Sequence, residues 1–173
     1  MSDGRVILET NRLLLRELVP QDSDALEKVL GDPVAMQYYP AAFDRSTVEG
    51  WIARNINRYQ RDGHSFWAML LKSSGELIGD CGCALQEVEG RNEIEVGYHV
   101  RRELWNNGYA TEAARACMEY AFNRLEAERV ISMIRPENLQ SRRVAEKNEM
   151  SCEKIIFWHG YDHCIYAKQK TEL

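Results

Sequence analysis

Apolar positions along this chain change their spacing several times, and each change marks an element. Leu13, Leu15 and Leu18, set among Arg12, Arg16 and Glu17, predict a first strand running into a turn at Pro20. Asp22 or Ser23 can then cap a short helix through Ala25, Leu26, Val29 and Leu30, which Gly31 and Pro33 stop. Val48, Trp51, Ile52 and Ile56 carry a helical spacing that starts near Ser46. The period then falls to that of strands. Three are predicted, at Ser65–Leu71, Leu77–Val88 and Glu93–Val100, with turns at Ser73-Ser74-Gly75 and Glu89-Gly90-Arg91-Asn92.

The clearest helix follows. Ala110, Ala113, Ala114, Cys117, Met118, Ala121, Phe122 and Leu125 form one stripe, while Glu112, Arg115, Glu119 and Asn123 take the other side. A strand at Val130–Ile134, a short helix at Asn138–Lys147 and a hairpin of Ile155–Trp158 with Cys164–Ala167 complete the chain. This order predicts a mixed α/β (α+β) domain whose sheet is largely antiparallel and flanked by helices. It is not the order of a doubly wound nucleotide fold.

Composition narrows the class. The 173 residues suit one domain, 1–173, and no repeat or Gly/Ser/Pro-rich linker divides them. With 45% hydrophobic and 28% charged residues the chain reads as globular rather than disordered. A net charge of -5 offers no general attraction to nucleic acid and mildly favours cationic partners such as amines. Neither a signal peptide nor a membrane span is visible, so a cytoplasmic location is expected. Cys81, Cys83, Cys117, Cys152 and Cys164 are odd in number and scattered, and are expected to be buried, reduced core thiols. His64, His99, His159 and His163 show no metal-ligand spacing, and no metal is expected.

The informative stretch runs from Glu95-Val96-Gly97-Tyr98 to Trp105-Asn106-Asn107-Gly108-Tyr109-Ala110-Thr111-Glu112-Ala113. A strand feeds a loop that opens directly into the strongest helix. The first helical N–H groups have no partners there, and the macrodipole leaves about half a positive charge, which suits a pyrophosphate. Gly108 allows close backbone approach, and Asn106 and Asn107 tolerate left-handed turns. Asn107 could equally be an ordinary helix cap. A P-loop and a GxGxxG run are both missing, which argues against nucleoside triphosphate and dinucleotide binding.

EVGYHV–RRELWNNGYATEAA–YAF, followed by RVISMIRPENLQSRRVAEKNEM, resembles the coenzyme A-binding core of the GNAT superfamily of N-acetyltransferases. It is most similar to the ribosomal-protein N-acetyltransferase branch, and the opening TNRLLLRELVPQD is of that type too. The resemblance implies a sheet splayed at the coenzyme site and acetyl-coenzyme A as co-substrate. It implies a pyrophosphate cradle at Asn106, Asn107, Gly108, Tyr109, Ala110 and Thr111. The pantetheine arm then lies between the strands of Glu95–Val100 and Val130–Ile134, against Val96 and Tyr98. Two departures stand out: Asn106 and Glu149 each occupy a position where the family carries glycine. A left-handed Glu149 would cost roughly 1 kcal/mol.

Acetyl transfer needs a neutral amine, a proton acceptor and a donor for the departing thiolate. Glu95 matches the family's strand carboxylate that accepts the amine proton through water, and shares a strand face with Glu93. The family's tyrosine acid is missing, because Ala145 stands in its place. The resemblance puts Ser141 near the sulfur and Asn138 on the coenzyme arm, although both also suit a helix start. Tyr166 is a further candidate acid. Tyr38, Tyr39, Phe43 and Trp51 are candidates for the acceptor pocket or for plain core. The implied activity is direct transfer of acetyl to a primary amine, a protein N-terminus or a small molecule, by a monomer or homodimer. A non-catalytic acyl-coenzyme A binding module stays open as the alternative.

Overall fold

The computed structural model describes residues 3–171. Twelve elements follow one another among them: β1 (Val6–Glu9), β2 (Leu13–Arg16), α1 (Ser23–Leu30), α2 (Arg45–Asp62), β3 (Phe66–Leu71), β4 (Leu77–Val88), β5 (Arg91–Val100), α3 (Tyr109–Arg124), β6 (Arg129–Ile134), α4 (Leu139–Lys147), β7 (Ser151–Trp158) and β8 (Tyr161–Gln169). The strands make one sheet in the order β1-β2-β3-β4-β5-β6-β8-β7. Every neighbouring pair in it is antiparallel except β5 with β6. The expected mixed fold is therefore present. One strand, β1, was not expected, and the final hairpin is longer than its apolar core predicts.

Alternation along β3 shows how the helices divide. Trp67 and Met69 point to the side where α3 lays its small residues Ala113, Ala114, Cys117 and Ala121. Ala68 points to the opposite side, into the core made with α1 and α2 by Leu26, Leu30, Val48 and Ile52. A stripe of alanine and cysteine lets α3 approach β4 and β5 closely. Of the cysteines, Cys81, Cys83, Cys117 and Cys164 are buried and unbridged as expected. Cys152 is exposed, because it lies near the start of the edge strand β7, where no helix covers it.

Glycine shapes the centre of the sheet. A Cβ on Gly82 would stand 2.1 Å from the Ser65 carbonyl oxygen and 2.6 Å from the Phe66 Cα, both backbone atoms. Neither can yield without moving β3. Gly82→Ala is expected to cost about 3 kcal/mol by overpacking, read as a lowered urea midpoint at unchanged slope. A variant as stable as the parent would show that the β3–β4 junction is looser than these contacts require.

Candidate active site

The strands β5 and β6 part almost as soon as they meet. Glu95 pairs with Ile131, and no further register pair joins these two strands among the described residues. Just beyond, the Ser132 hydroxyl donates to the Val96 carbonyl at 2.7 Å, a side chain reaching across the gap. Parted parallel strands leave main-chain groups that an amide-bearing ligand can satisfy. The gap opens into a cleft of about 310 Å³ lined by Tyr98, His99, Asn106, Gly108, Asn138 and Ser141 among others.

The N-terminus of α3 faces this cleft. Its cap residue, Gly108, is left-handed at φ +81°, as is Asn106 at φ +63°. No side chain caps this helix end. By contrast, Asp44 accepts from the Thr47 amide at α2, and Asn138 from the Ser141 amide at α4. Asn107 is turned away from capping: its side-chain amide donates to the carbonyls of Leu104 and Trp105 at 3.0 and 3.1 Å. The loop is thus stiffened by Asn107 while the helix amides are left for an anion. A further clamp holds it from behind. Glu112 accepts from the Thr10 hydroxyl at 2.6 Å, the Arg12 amide at 2.9 Å and the Arg12 guanidinium at 2.7 Å. Arg12 in turn donates to the Asn107 carbonyl at 2.8 Å and stacks 4.4 Å over the Tyr109 ring. These partners, despite desolvation, hold the Glu112 carboxyl below its ordinary value.

Cations gather beside this helix start. Arg143 and Lys147 line the cleft. Lys147 and Arg115 also border an adjoining cavity of about 460 Å³ that shares Gly108 and Thr111. Asn106, Gly108, Ala110, Thr111, Asn138, Ser141 and Tyr98 therefore meet around one space. Val96, Asn107 and Tyr109 do not line it; Val96 is buried against α3. Tyr98 donates its hydroxyl to the Ser141 carbonyl at 3.1 Å, tying β5 to α4 across the gap. Tyr166 is engaged elsewhere, receiving Arg142 at 3.0 Å and donating to Glu146 at 3.1 Å. The Glu149 departure is left-handed at φ +63°, and its carboxylate takes Lys168 at 2.9 Å.

Glu95 is half-buried on β5 and does not line the cleft. Desolvation pushes its carboxyl up to about 7, an effect opposed by Gln86, Arg58 and His99. Two pleats along the same face sits His99, which does line the cleft. It is tied to Asp80 and Tyr39, and Trp51 donates to Asp80 in turn, an arrangement that periodicity and motif spacing did not single out. The Tyr39 segment is itself pinned from just beyond β6, where Arg135 donates to the Tyr38 carbonyl at 3.3 Å.

An antiparallel sheet with one parting parallel pair, and an uncapped helix start aimed into the gap, are the arrangement that the resemblance to acyl-coenzyme A-using proteins implies. Residues 12–151 match the Acetyltransferase (GNAT) domain family. Two proteins of Bacillus subtilis (strain 168) are similar over nearly their whole lengths. Uncharacterized protein YkkB is 38% identical, covering 96% of this chain and 98% of its own. Uncharacterized N-acetyltransferase YnaD is 30% identical, covering 94% and 98%. A solved GNAT-family acetyltransferase from Bacillus anthracis superposes with a TM-score of 0.80 at 27% identity, covering 94% of this chain and 97% of that one. The chain belongs to the GNAT family and is an acetyl-coenzyme A-dependent acetyltransferase. No helix among the described residues is long and apolar enough to cross a membrane.

Proposed function

We propose that this protein transfers acetyl from acetyl-coenzyme A to a primary amine, by direct attack while both substrates are bound. The observation that carries this reading is the single cleft in which the uncapped α3 start meets the β5–β6 gap. The amides from Gly108 to Thr111 hold the pyrophosphate, and Arg143 and Lys147 add charge. The parted strand around Tyr98 receives the pantetheine arm. Asn138, whose Oδ1 is taken by the Ser141 amide, keeps its NH₂ group for that arm, and Ser141 borders the sulfur. Cys117 is buried within the core beside Cys81, with burial pushing its thiol up. A covalent acetyl-cysteine is not supported there.

The acceptor enters from the side of Tyr38 and Tyr39, where His99 of β5 lines the cleft. Glu95, pushed up to about 7, can take a proton through water near neutral pH. An α-amine near 7.7–8.0 is about a quarter neutral at pH 7.4, against about 0.1% for a lysine-type amine. That difference favours the α-amine of a protein N-terminus or small molecule.

Acetyl-coenzyme A at a hundredfold excess over its Kd is expected to stabilise the fold by about 2.7 kcal/mol, seen as a raised melting temperature. Thiol release on adding a panel of primary amines then tests the reaction itself. Binding without release with any amine would favour a non-catalytic coenzyme-binding role.

A further inference from the structure

We propose that His99, oriented by Asp80, is the base that draws the proton from the attacking amine through the Tyr39 hydroxyl. The proposal rests on the transfer reaction above and assigns to His99 the step that family resemblance places on Glu95.

The assignment starts from register. Asp80 and His99 stand directly opposite each other on β4 and β5. The Asp80 side chain is fully buried and the His99 side chain 10% exposed. His99 Nδ1 lies 2.6 Å from Asp80 Oδ1, and the Trp51 indole donates to Asp80 Oδ2 at 2.8 Å. A carboxylate only accepts hydrogen bonds, so the neutral imidazole carries its proton on Nδ1 and presents a lone pair at Nε2. That nitrogen lies 2.7 Å from the Tyr39 oxygen and accepts its hydroxyl proton. Both His99 and Tyr39 line the cleft, whereas Glu95 does not. Carboxylate, imidazole and hydroxyl thus stand in the order that orients a base and activates an oxygen.

The surroundings suit a ring that gains charge. Tyr39, Trp51 and Phe66 place their ring centroids 5.4, 5.9 and 6.1 Å from that of His99. They limit the motion of the imidazole. The titratable and charged groups facing His99 are Asp80 from β4, Tyr39 from the segment before α2, and Glu95 from β5 itself. From α2 and β3 it meets Trp51 and Phe66, which do not titrate; Arg58 of α2 acts on Glu95.

In the step, the amine nitrogen bonds to the thioester carbonyl carbon and the C–S bond breaks. The nitrogen's proton passes to the Tyr39 oxygen as that oxygen's own proton moves to His99 Nε2. Asp80 holds the resulting imidazolium. His99 then releases the proton to solvent, and solvent protonates the thiolate, giving amide and thiol.

The test compares variants in thiol release with a panel of amino acid amides, polyamines and a peptide with a free N-terminus. His99→Gln is expected to lower kcat at pH 7 by about 10²–10³-fold and to leave acetyl-coenzyme A affinity unchanged by calorimetry. The deficit should shrink as pH rises and the amine arrives neutral. Tyr39→Phe keeps the ring and should lose about tenfold or more. Asp80→Asn tests positioning: nitrogen-15 NMR should show the His99 proton moving from Nδ1 to Nε2, together with a loss of kcat. A His99→Gln enzyme with parental kcat at pH 7, while Glu95→Gln loses about 10²-fold, would return the role to Glu95 and overturn the assignment. A parent protein that binds acetyl-coenzyme A yet releases no thiol with any amine would overturn the reaction itself, and the assignment with it.

Discussion

Gly108→Pro is expected to weaken acetyl-coenzyme A binding by about a hundredfold or more, equivalent to about 2.7 kcal/mol. Proline fixes φ near -65° and has no N–H, whereas Gly108 stands at φ +81°. The loop from Asn106 must therefore rearrange, and the first amides of α3 lose their common aim. The sheet has little reason to follow. The nearest atom to a Cβ at Gly108 is the side-chain Arg12 Nη2, at 3.4 Å, and the core residues of α3 begin only at Ala113. Gly108→Ala supplies the control, since it keeps the amide and bears only the left-handed cost of about 1 kcal/mol. Its affinity should fall several-fold at most. Isothermal calorimetry on both variants, with circular dichroism to verify folding, separates the cases. A folded Gly108→Pro protein with parental affinity would remove these amides from coenzyme binding.

The difference between those two variants depends on a loop whose importance was legible in the sequence, and its neighbours show where legibility ends. The stripe from Ala113 to Ala121 names the helix and its buried face, because 3.6-residue periodicity depends on local spacing alone. The strand Leu77–Val88 is observed with the bounds its pattern predicts. Asn107 is different. Its identity suits a cap, yet the side chain bonds backward to Leu104 and Trp105, a choice set by the fold of the loop. Strand β1 was missed because Val6-Ile7-Leu8 is a short apolar run without alternation, and it is defined by pairing with β2.

The Asp80–His99 pair carried a usable signal. Glu89 and Gly90, both with positive φ, form the β4–β5 turn, and Asp80 and His99 are equally distant from it. Counting outward from a Glu-Gly turn puts a carboxylate opposite an imidazole on one hairpin face. Tyr39 had no such signal. It lies in an irregular segment flanked by Pro33 and Pro40, and only tertiary docking brings its hydroxyl to His99.

Glu95→Gln is expected to stabilise the protein in mildly alkaline solution while lowering turnover less than His99→Gln does. The carboxyl at 95 is pushed from 4.5 up to about 7, chiefly by desolvation. Below pH 4.5 it is protonated in both the folded and the unfolded chain, and burial carries no charge penalty. Between 4.5 and 7 the unfolded chain ionises first, so stability falls as pH rises. Above about 7 the folded chain carries an ionised, half-buried group, at a cost of up to about 3 kcal/mol. Glutamine has nearly the same shape and can still bond Gln86, but it has no charge to bury. Urea unfolding at pH 5 and pH 8 should therefore show the variant's advantage growing to about 2–3 kcal/mol at the higher pH. An advantage that stays constant across that range would mean Glu95 is solvated in the folded chain. Such a group would ionise well below neutrality and could not store a proton at pH 7, even as a second acceptor behind His99. An advantage that grows as expected identifies a carboxylate kept on the His99 face of β5 against its own contribution to stability, which is the trade common where a fold holds a functional charge.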